Sequence, residues 1–563
     1  MRNVLSLFVL TCVVLLVSSC DLLKDLKYTV TPNPLEMHGD SVRISVTAQL
    51  PKKGIHKKAK AEIIPMLGNT ELKPVTILGE KAQGNGTTIK YKPGGTVTYS
   101  DVVKYKPEYE VTDLMITGKL YKGSKSKEEI KPIKIADGTI ITPLLVKKDF
   151  KMIMSSDNFQ RVEEKKFTAQ INFEKAKATL LPNELKDKDM FEYEHFLAAA
   201  QTNPKITIKS IYITGYASPE GEIGVNNNLS SERAMNAKTA VQEIAKKANN
   251  EKAQSEIYQI SGKGEDWDGF KLELDKSPMN IDEKRLIIRV LEMYKDPVQR
   301  ETEIRNMAKT FDYMEKFVLP QLRRAEINII YDEIGKTDEE IVAMSKTDVD
   351  KLSIEELLFA ATLTQDLEEK YRIYSEASNF YPLDIRFFNN AGVILHKLGR
   401  NDEAGYKFEA ALSLQDNAIA RNNMGVLAAT KGDIVKAKQL FSSATEAGSV
   451  VSYNLAYYDI LENRYQKALV NFGTEPSFNK ALAEFLNASY DNALTTLLKS
   501  EDKETALGYY FKAVIFARQG FIDPCMDALK LCLTKDSKFK EKIKKDREFV
   551  KFHASPAFAT YIK

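Results

Sequence analysis

Between residues 28 and 148 hydrophobic and polar positions alternate in short runs, as in Val42-Arg43-Ile44-Ser45-Val46 and Leu114-Met115-Ile116-Thr117-Gly118-Lys119-Leu120. Turn formers such as Pro32, Gly39, Pro51, Gly54, Gly68 and Gly94 separate the runs. Period-two patterning broken by frequent turns predicts an all-β sandwich, assigned to residues 21–160. The length of the region also fits a small membrane barrel, but these runs are short, rich in Lys and without aromatic girdles, and a lipid anchor would make a barrel redundant. From about 161 the period changes. Phe167 to Phe173, Ile206 to Tyr216, Ile257 to Ile260 and Ala325 to Tyr331 read as strands. Residues 183–202, with Phe191, Phe196, Leu197 and Ala200, and residues 230–248, with Ala234, Ala237, Val241, Ile244, Ala245 and Ala248, recur at helical spacing. This predicts a central α/β domain over 161–335, interrupted by a helical insertion at about 270–320. Beyond 345 nearly every run is helical.

Those C-terminal helices repeat. Asn389-Asn390-Ala391-Gly392-Val393 returns 33 residues later as Asn422-Asn423-Met424-Gly425-Val426, followed in both copies by Gly399 and Gly432, then Ala404 and Ala437. Such a period predicts stacked helix pairs. The residues resemble the tetratricopeptide repeat, with further units carried by Ala456, Tyr465 and Ala468, by Ala481, Tyr490 and Ala493, and by Ala513, Gly520 and Phe521. The resemblance implies an all-α solenoid over 345–563 that docks protein partners on its concave face. Asn390, Asn423 and Asn454 stand at matching points of successive first helices and offer hydrogen bonds to an extended partner segment, though a purely structural consensus position explains them as well.

The first twenty residues have a basic start at Arg2, an apolar stretch from Val4 to Val17 and small residues before Cys20, the pattern of a secretory signal. The stretch is shorter than the ~20 apolar residues a membrane span requires. Val17-Ser18-Ser19-Cys20 resembles the lipobox of bacterial lipoproteins, which implies cleavage before Cys20 and lipidation of its thiol, palmitate among the acyl chains. The expected location is the outer membrane, lipid-anchored and facing the periplasm. Of the 4 cysteines, Cys525 and Cys532 then remain. Seven residues apart on a helix they are ~10 Å distant, too far for a disulfide, and both fall where the repeat pattern places small packing residues. The net charge of +3 over 563 residues gives no global field that suggests a nucleic-acid partner.

One stretch points to a ligand. Residues 215–237, GYASPEGEIGVNNNLSSERAMNA, end a strand, turn, and open a helix that carries Arg233. The N–H groups and positive dipole end of a helix attract a carboxylate, and a guanidinium grips one bidentately. Ser218, Glu220 and Asn226 offer acceptors to an ammonium. The pattern fits a zwitterionic amino acid, or else Asn and Ser simply cap the helix and Arg233 is a structural charge. Gly215-Tyr216-Ala217, Gly221, Asn226, Leu229-Ser230 and Arg233-Ala234, with Ile171-Asn172-Phe173 before and Arg323-Arg324-Ala325-Glu326-Ile327 after, resemble the OmpA-like peptidoglycan-binding family. The resemblance implies that the loop holds the diaminopimelate of the cell-wall peptide, with Arg233 on its carboxylate and Arg324 nearby. Where the family carries an Asp for the ammonium this chain has Ser218, and Glu220, two residues on, is the carboxylate available.

No HExxH, GxSxG or GxxxxGK[ST] motif occurs and the 5 His are scattered, so no catalytic residue, metal site or cofactor is expected. Two readings follow. In one, an outer-membrane lipoprotein binds peptidoglycan through its OmpA-like domain and docks envelope proteins on its repeats. In the other, the chain is a scaffold subunit of a machine for outer-membrane protein assembly or secretion, and its OmpA-like domain does not bind cell wall.

Overall fold

A computed structural model describes residues 13–15, 26–250, 257–556 and 558–559. Cys20 and most of the signal segment lie outside the described residues. The chain divides into two units, residues 1–156 with 366–563, and residues 157–365.

The first unit opens with two facing sheets. One runs β1 (Leu26–His38), β2 (Ser41–Leu50) and then, across a crossover, Gly95–Lys104; Val13–Leu15 and Thr139–Ile140 pair with opposite ends of the free edge of β1. The other contains β3 (Ala59–Leu67), β4 (Val75–Gly79), β5 (Thr87–Ile89), β7 (Leu114–Lys122) and β8 (Lys125–Ala136), Gly95–Lys104 being β6. In β3 the burial alternates strictly, with Ala59, Ala61, Ile63 and Leu67 inside. Leu26, Leu50, Ile55, Ile77, Val97 and Leu120 from both sheets share one apolar cluster. The expected sandwich is therefore present, but its sheets end at residue 140 rather than near 160, because the chain beyond packs elsewhere.

From residue 366 onward this unit is helical: α10 (Leu367–Phe380), then pairs α11/α12 (Ile385–Lys397, Asn401–Leu414), α13/α14 (Ala418–Thr430, Ile434–Ser442), α15/α16 (Ser449–Leu461, Tyr465–Phe472), α17/α18 (Phe478–Leu486, Tyr490–Lys499) and α19/α20 (Ala506–Gln519, Ile522–Lys535). Gly392 and Gly425 let the two helices of a pair touch: a Cβ at either position would lie 2.5 Å from Phe408 or 2.7 Å from Phe441. Cys525 and Cys532 are fully buried in the apolar cluster of the last pairs, free thiols that act as packing residues. Burial pushes both thiols up to about 12.

The second unit is built on a four-stranded sheet ordered β9 (Val162–Asn172), β12 (Arg324–Ile334), β10 (Ile206–Ala217), β11 (Tyr258–Glu265). β12 is antiparallel to both neighbours, while β10 and β11 are parallel and joined through α2 (Ile223–Lys247). Met190, Tyr193 and Leu197 of α1 (Lys188–Thr202) and Ala234, Ala237, Val241 and Ala245 of α2 cover one face, against Ile171, Ile211, Ile213, Ile327 and Ile329. The insertion forms α3 to α7 between Trp267 and Leu322, around its own cluster of Phe270, Leu274, Ile287, Leu291, Met314 and Val318. The expected start of the repeats at 345 shifts, since α8 (Asp338–Thr347) and α9 (Ile354–Ala360) belong to this unit. Lys336 pairs with Glu356 at 3.0 Å, and the ring of Phe359 stacks on Phe159 at 4.4 Å.

Candidate functional site

The ligand-like turn begins where β10 ends at Ala217. α2 starts at Ile223, seven residues before the expected helix start at 230, so the Asn run lies inside its first two turns. The buried Asn226 amide donates to the carbonyls of Gly221 and Ser218 at 3.1 and 3.3 Å and to Glu265 Oε1 at 2.9 Å. It therefore folds the turn back onto the helix and closes it against β11.

Arg233 is 1% exposed. Nε donates to the Lys177 carbonyl at 3.0 Å, Nη1 to that of Tyr216 at 2.8 Å and Nη2 to that of Glu174 at 3.1 Å. Burial, together with the neighbouring Arg323 guanidinium, pushes its pKa down to about 10. The side chain stays charged at neutral pH and stitches the 174–177 loop to the end of β10.

Glu220 is largely enclosed, its side chain 7% exposed. Its Oε1 accepts from the Ser218 hydroxyl and, at 2.9 Å, from Arg323 Nε, and its Oε2 lies 3.4 Å from the Lys175 ammonium without a hydrogen bond. Burial raises its pKa, but the Ser218 hydroxyl and the Arg323 guanidinium outweigh that and hold the carboxyl below the usual glutamate range. Ser218, Glu220 and Asn226 are thus brought together, and Arg233 braces the same turn. Arg324 is engaged elsewhere, by Glu326 at 2.7 Å and Asp266 at 2.8 Å, over the face of Tyr216. Of the adjacent arginines it is Arg323 that meets Glu220. The sequence shows both side by side, and only the turn that precedes β12 decides between them.

A cavity of about 410 Å³ opens beside the turn, lined by Glu220, Gly221, Glu222, Ile223, Val298, Glu301 and Arg305. Arg305, from α5 (Pro297–Asn306), bonds Glu301 at 2.6 Å and donates to the Glu220 carbonyl. The insertion therefore supplies one wall.

In the repeats, Asn390, Asn423 and Asn454 do bind an extended segment, and it is the chain's own. Residues 147–155 thread the groove as a strap. Each Asn makes a two-way bond with one strap residue: Asn390 with Ser155, Asn423 with Ile153 and Asn454 with Lys151, every Oδ1 accepting from the backbone N–H at 2.8 Å. The Nδ2 groups return bonds of 2.9, 2.7 and 2.8 Å to the same residues' carbonyls. Asn479, not singled out in the sequence, does the same for Lys147 with both bonds at 2.8 Å. Its signal was available: Asn390, Asn423, Asn454 and Asn479 each stand two residues before the small residue of their helix, Gly392, Gly425, Ala456 or Ala481.

The contacts at Ser155, Ile153 and Lys151 are two strap residues apart, about 6.7 Å of extended chain, and the step to Lys147 is four. Alternate strap side chains then face the same way. Phe150 lies 4.8 Å from Tyr457, 5.8 Å from Phe441 and 6.0 Å from Tyr458, while Met152 and Met154 pack between repeats. Lys151 sits 4.1 Å over the Tyr453 ring, whose hydroxyl donates to Asp149.

No protein-family model matches the sequence, and no curated relative matches it. Among solved structures, a tetratricopeptide repeat protein from Parabacteroides merdae is similar at 17% identity, TM-score 0.27, over 37% of this chain and 90% of that one. The C-terminal part of a TPR repeat-containing protein from Cytophaga hutchinsonii is similar at 15% identity, TM-score 0.27, over 37% and 94%. Yeast Tom70 is similar at 15% identity, TM-score 0.25, over 68% and 75%.

Proposed function

We propose that the protein is an outer-membrane lipoprotein that works as an interaction scaffold in the cell envelope, holding protein partners on fixed surfaces. Stacked helix pairs are built for such docking. The observation that carries this reading is the strap: residues 147–155 run through the repeats and join them to the sandwich in one unit. A partner peptide would compete with a tethered segment whose effective concentration is on the order of millimolar or higher. Docking is therefore assigned to the outer faces, where Leu383, Tyr406 and Val470 are 83%, 71% and 79% exposed. Photo-cross-linkers placed at Tyr406 and Val470 in cells are expected to trap envelope proteins. Adducts only from a cross-linker at Asn423 would overturn the assignment.

The cavity beside Glu220 favours a second reading, in which the central domain holds the diaminopimelate peptide of peptidoglycan as the OmpA-like family does. A ligand ammonium there would have to displace Arg323 from Glu220, and its carboxylate would have to draw Arg233 off three carbonyls. The full chain, wild type beside Glu220→Gln and Arg323→Ala, would be tested for co-sedimentation with purified cell-wall sacculi. The scaffold reading expects no wild-type binding. Wild-type binding that Glu220→Gln abolishes would establish the tether.

A further inference from the structure

The sandwich carries a charge the rest of the chain lacks. Between residues 26 and 140 there are nineteen basic and twelve acidic side chains, a surplus of seven, against +3 for the whole sequence. The surplus concentrates at one end. Residues 51–58 lead from Leu50 in one sheet to Ala59 in the other, and residues 90–94 lead back from Ile89 to Gly95, so both loops lie at the same end. Backbone bonds tie them together: Lys53 N–H donates to the Tyr91 carbonyl and Lys81 N–H to that of Lys57, both at 2.7 Å. The β7–β8 hairpin joins them, since Lys122 pairs with Ala59 and Gly123 N–H reaches the Lys58 carbonyl at 3.4 Å.

These loops expose Lys52, Lys53, Lys58, Lys81, Lys90, Lys92, Lys122 and Lys125. Glu80 is held by Lys57 at 3.4 Å and by the Tyr91 N–H, and on the hairpin Glu129 is held by Lys119 at 3.2 Å, with Glu128 beside it. The opposite end faces the repeats, through Arg518 on Glu36 at 2.6 Å and Arg547 on Asp113 at 3.2 Å. The lysine end is also where the chain enters the sandwich, because Lys27 pairs with Gln49 beside Leu50.

We propose that this lysine-rich end lies on anionic phospholipid headgroups and forms a second membrane contact next to the N-terminal anchor. The proposal rests on the reading of Cys20 as lipidated for its placement, and the charge complementarity stands apart from it. Each lysine within a Debye length of an anionic leaflet strengthens binding by roughly fivefold. One anchor and a basic patch then hold the sandwich upright, the two-signal arrangement that stable membrane attachment favours.

The test uses the chain from Asp21 onward, which gives up the short Val13–Leu15 strand with the signal segment, keeps the described residues from Leu26 on and carries no lipid. It would be sedimented with vesicles of phosphatidylcholine alone or with about one third phosphatidylglycerol. Binding to the anionic vesicles alone, lost with rising salt and weakened by about six-hundredfold or more by K52E/K53E/K90E/K92E, four lysines at roughly fivefold each, is the expected result. The control K530E/K535E/K538E/K551E, which reverses exposed lysines on the repeats and the C-terminal segment, is expected to bind as wild type. Equal binding to both vesicle types, no binding at all, or equal loss in the control would overturn the proposal. Mass analysis of the native protein reports the anchor separately: a chain without acyl groups would remove the Cys20 reading and leave the vesicle result intact.

Discussion

The groove of the repeats and the turn at 215–237 were both expected to receive an outside ligand, and both are satisfied from within, by different chemistry. The groove uses neutral amides on backbone groups, and the Asn ladder leaves no strap N–H or carbonyl at residues 147, 151, 153 and 155 without a partner. The turn uses charges, and leaves Glu220 Oε2 and Arg323 Nη2 buried without a hydrogen bond. An amide ladder costs little desolvation and registers a long segment, whereas a buried ion pair is favourable only when its remaining atoms find partners. The groove is thus a finished structural seam. The turn is the place with chemistry left over.

Breaking the strap should have the largest effect. Asn423→Leu strands the N–H of Ile153, at about 1–3 kcal/mol for a buried group without a partner, and leaves its carbonyl to Asn389 alone. Combined with Phe150→Ala, which empties the site among Phe441, Tyr457 and Tyr458, it is expected to unfold the repeats below the wild-type transition in a calorimetric scan. A double variant with an unchanged melting profile would mean that the strap is a passenger in the groove.

Next in size is Arg323→Ala, which leaves Glu220 enclosed without its main counter-charge and should cost about 3–5 kcal/mol in urea titrations at neutral pH. The sign with pH follows from the lowered Glu220 pKa. A carboxyl depressed on folding stabilises the protein above the unfolded glutamate value of about 4.3 and loses that contribution as pH falls through the lower folded value. The wild type should therefore lose stability on acidification over that window more steeply than Arg323→Ala. Parallel pH profiles would show that the pair does not form.

Gly392→Ala and Gly425→Ala probe the helix pairs that make the groove. Their Cβ atoms would press on Phe408 and Phe441, and overpacking of this kind costs about 1–3 kcal/mol. The smallest effect concerns Cys525 and Cys532. With both thiols pushed up to about 12, a disulfide reagent at pH 8 should leave them untouched in the native protein and label both in urea.

Much of this architecture was legible in the sequence. Period-two runs located the sandwich strands, period 3.6 located α1 and α2, and the 33-residue offset located the helix pairs, because each of these signals records which face of an element is buried. The insertion at 270–320 was visible as helical spacing inside an α/β pattern, and it appears as α3 to α7. The equal phase of Asn390, Asn423 and Asn454 was compatible with an extended segment as their partner, and equally with a purely structural consensus position. What occupies the groove was not legible, since Asn bonds to a backbone carry no information about the sequence of the bound segment. Residues 147–155 lie more than 230 positions from the nearest Asn that holds them.

The turn divides in the same way. The sequence by itself determined that a carboxylate, a hydroxyl, an amide and a guanidinium would gather there, since a strand end and a helix start place Ser218, Glu220, Asn226 and Arg233 within one short loop. Only the tertiary structure decided that Arg233 faces carbonyls 56 and 59 residues away and that Arg323 rather than Arg324 reaches Glu220. Residue type and spacing specify local chemistry and periodicity. Which distant backbone or charge satisfies that chemistry depends on how the layers close, because burial forces each polar group to take the nearest available partner.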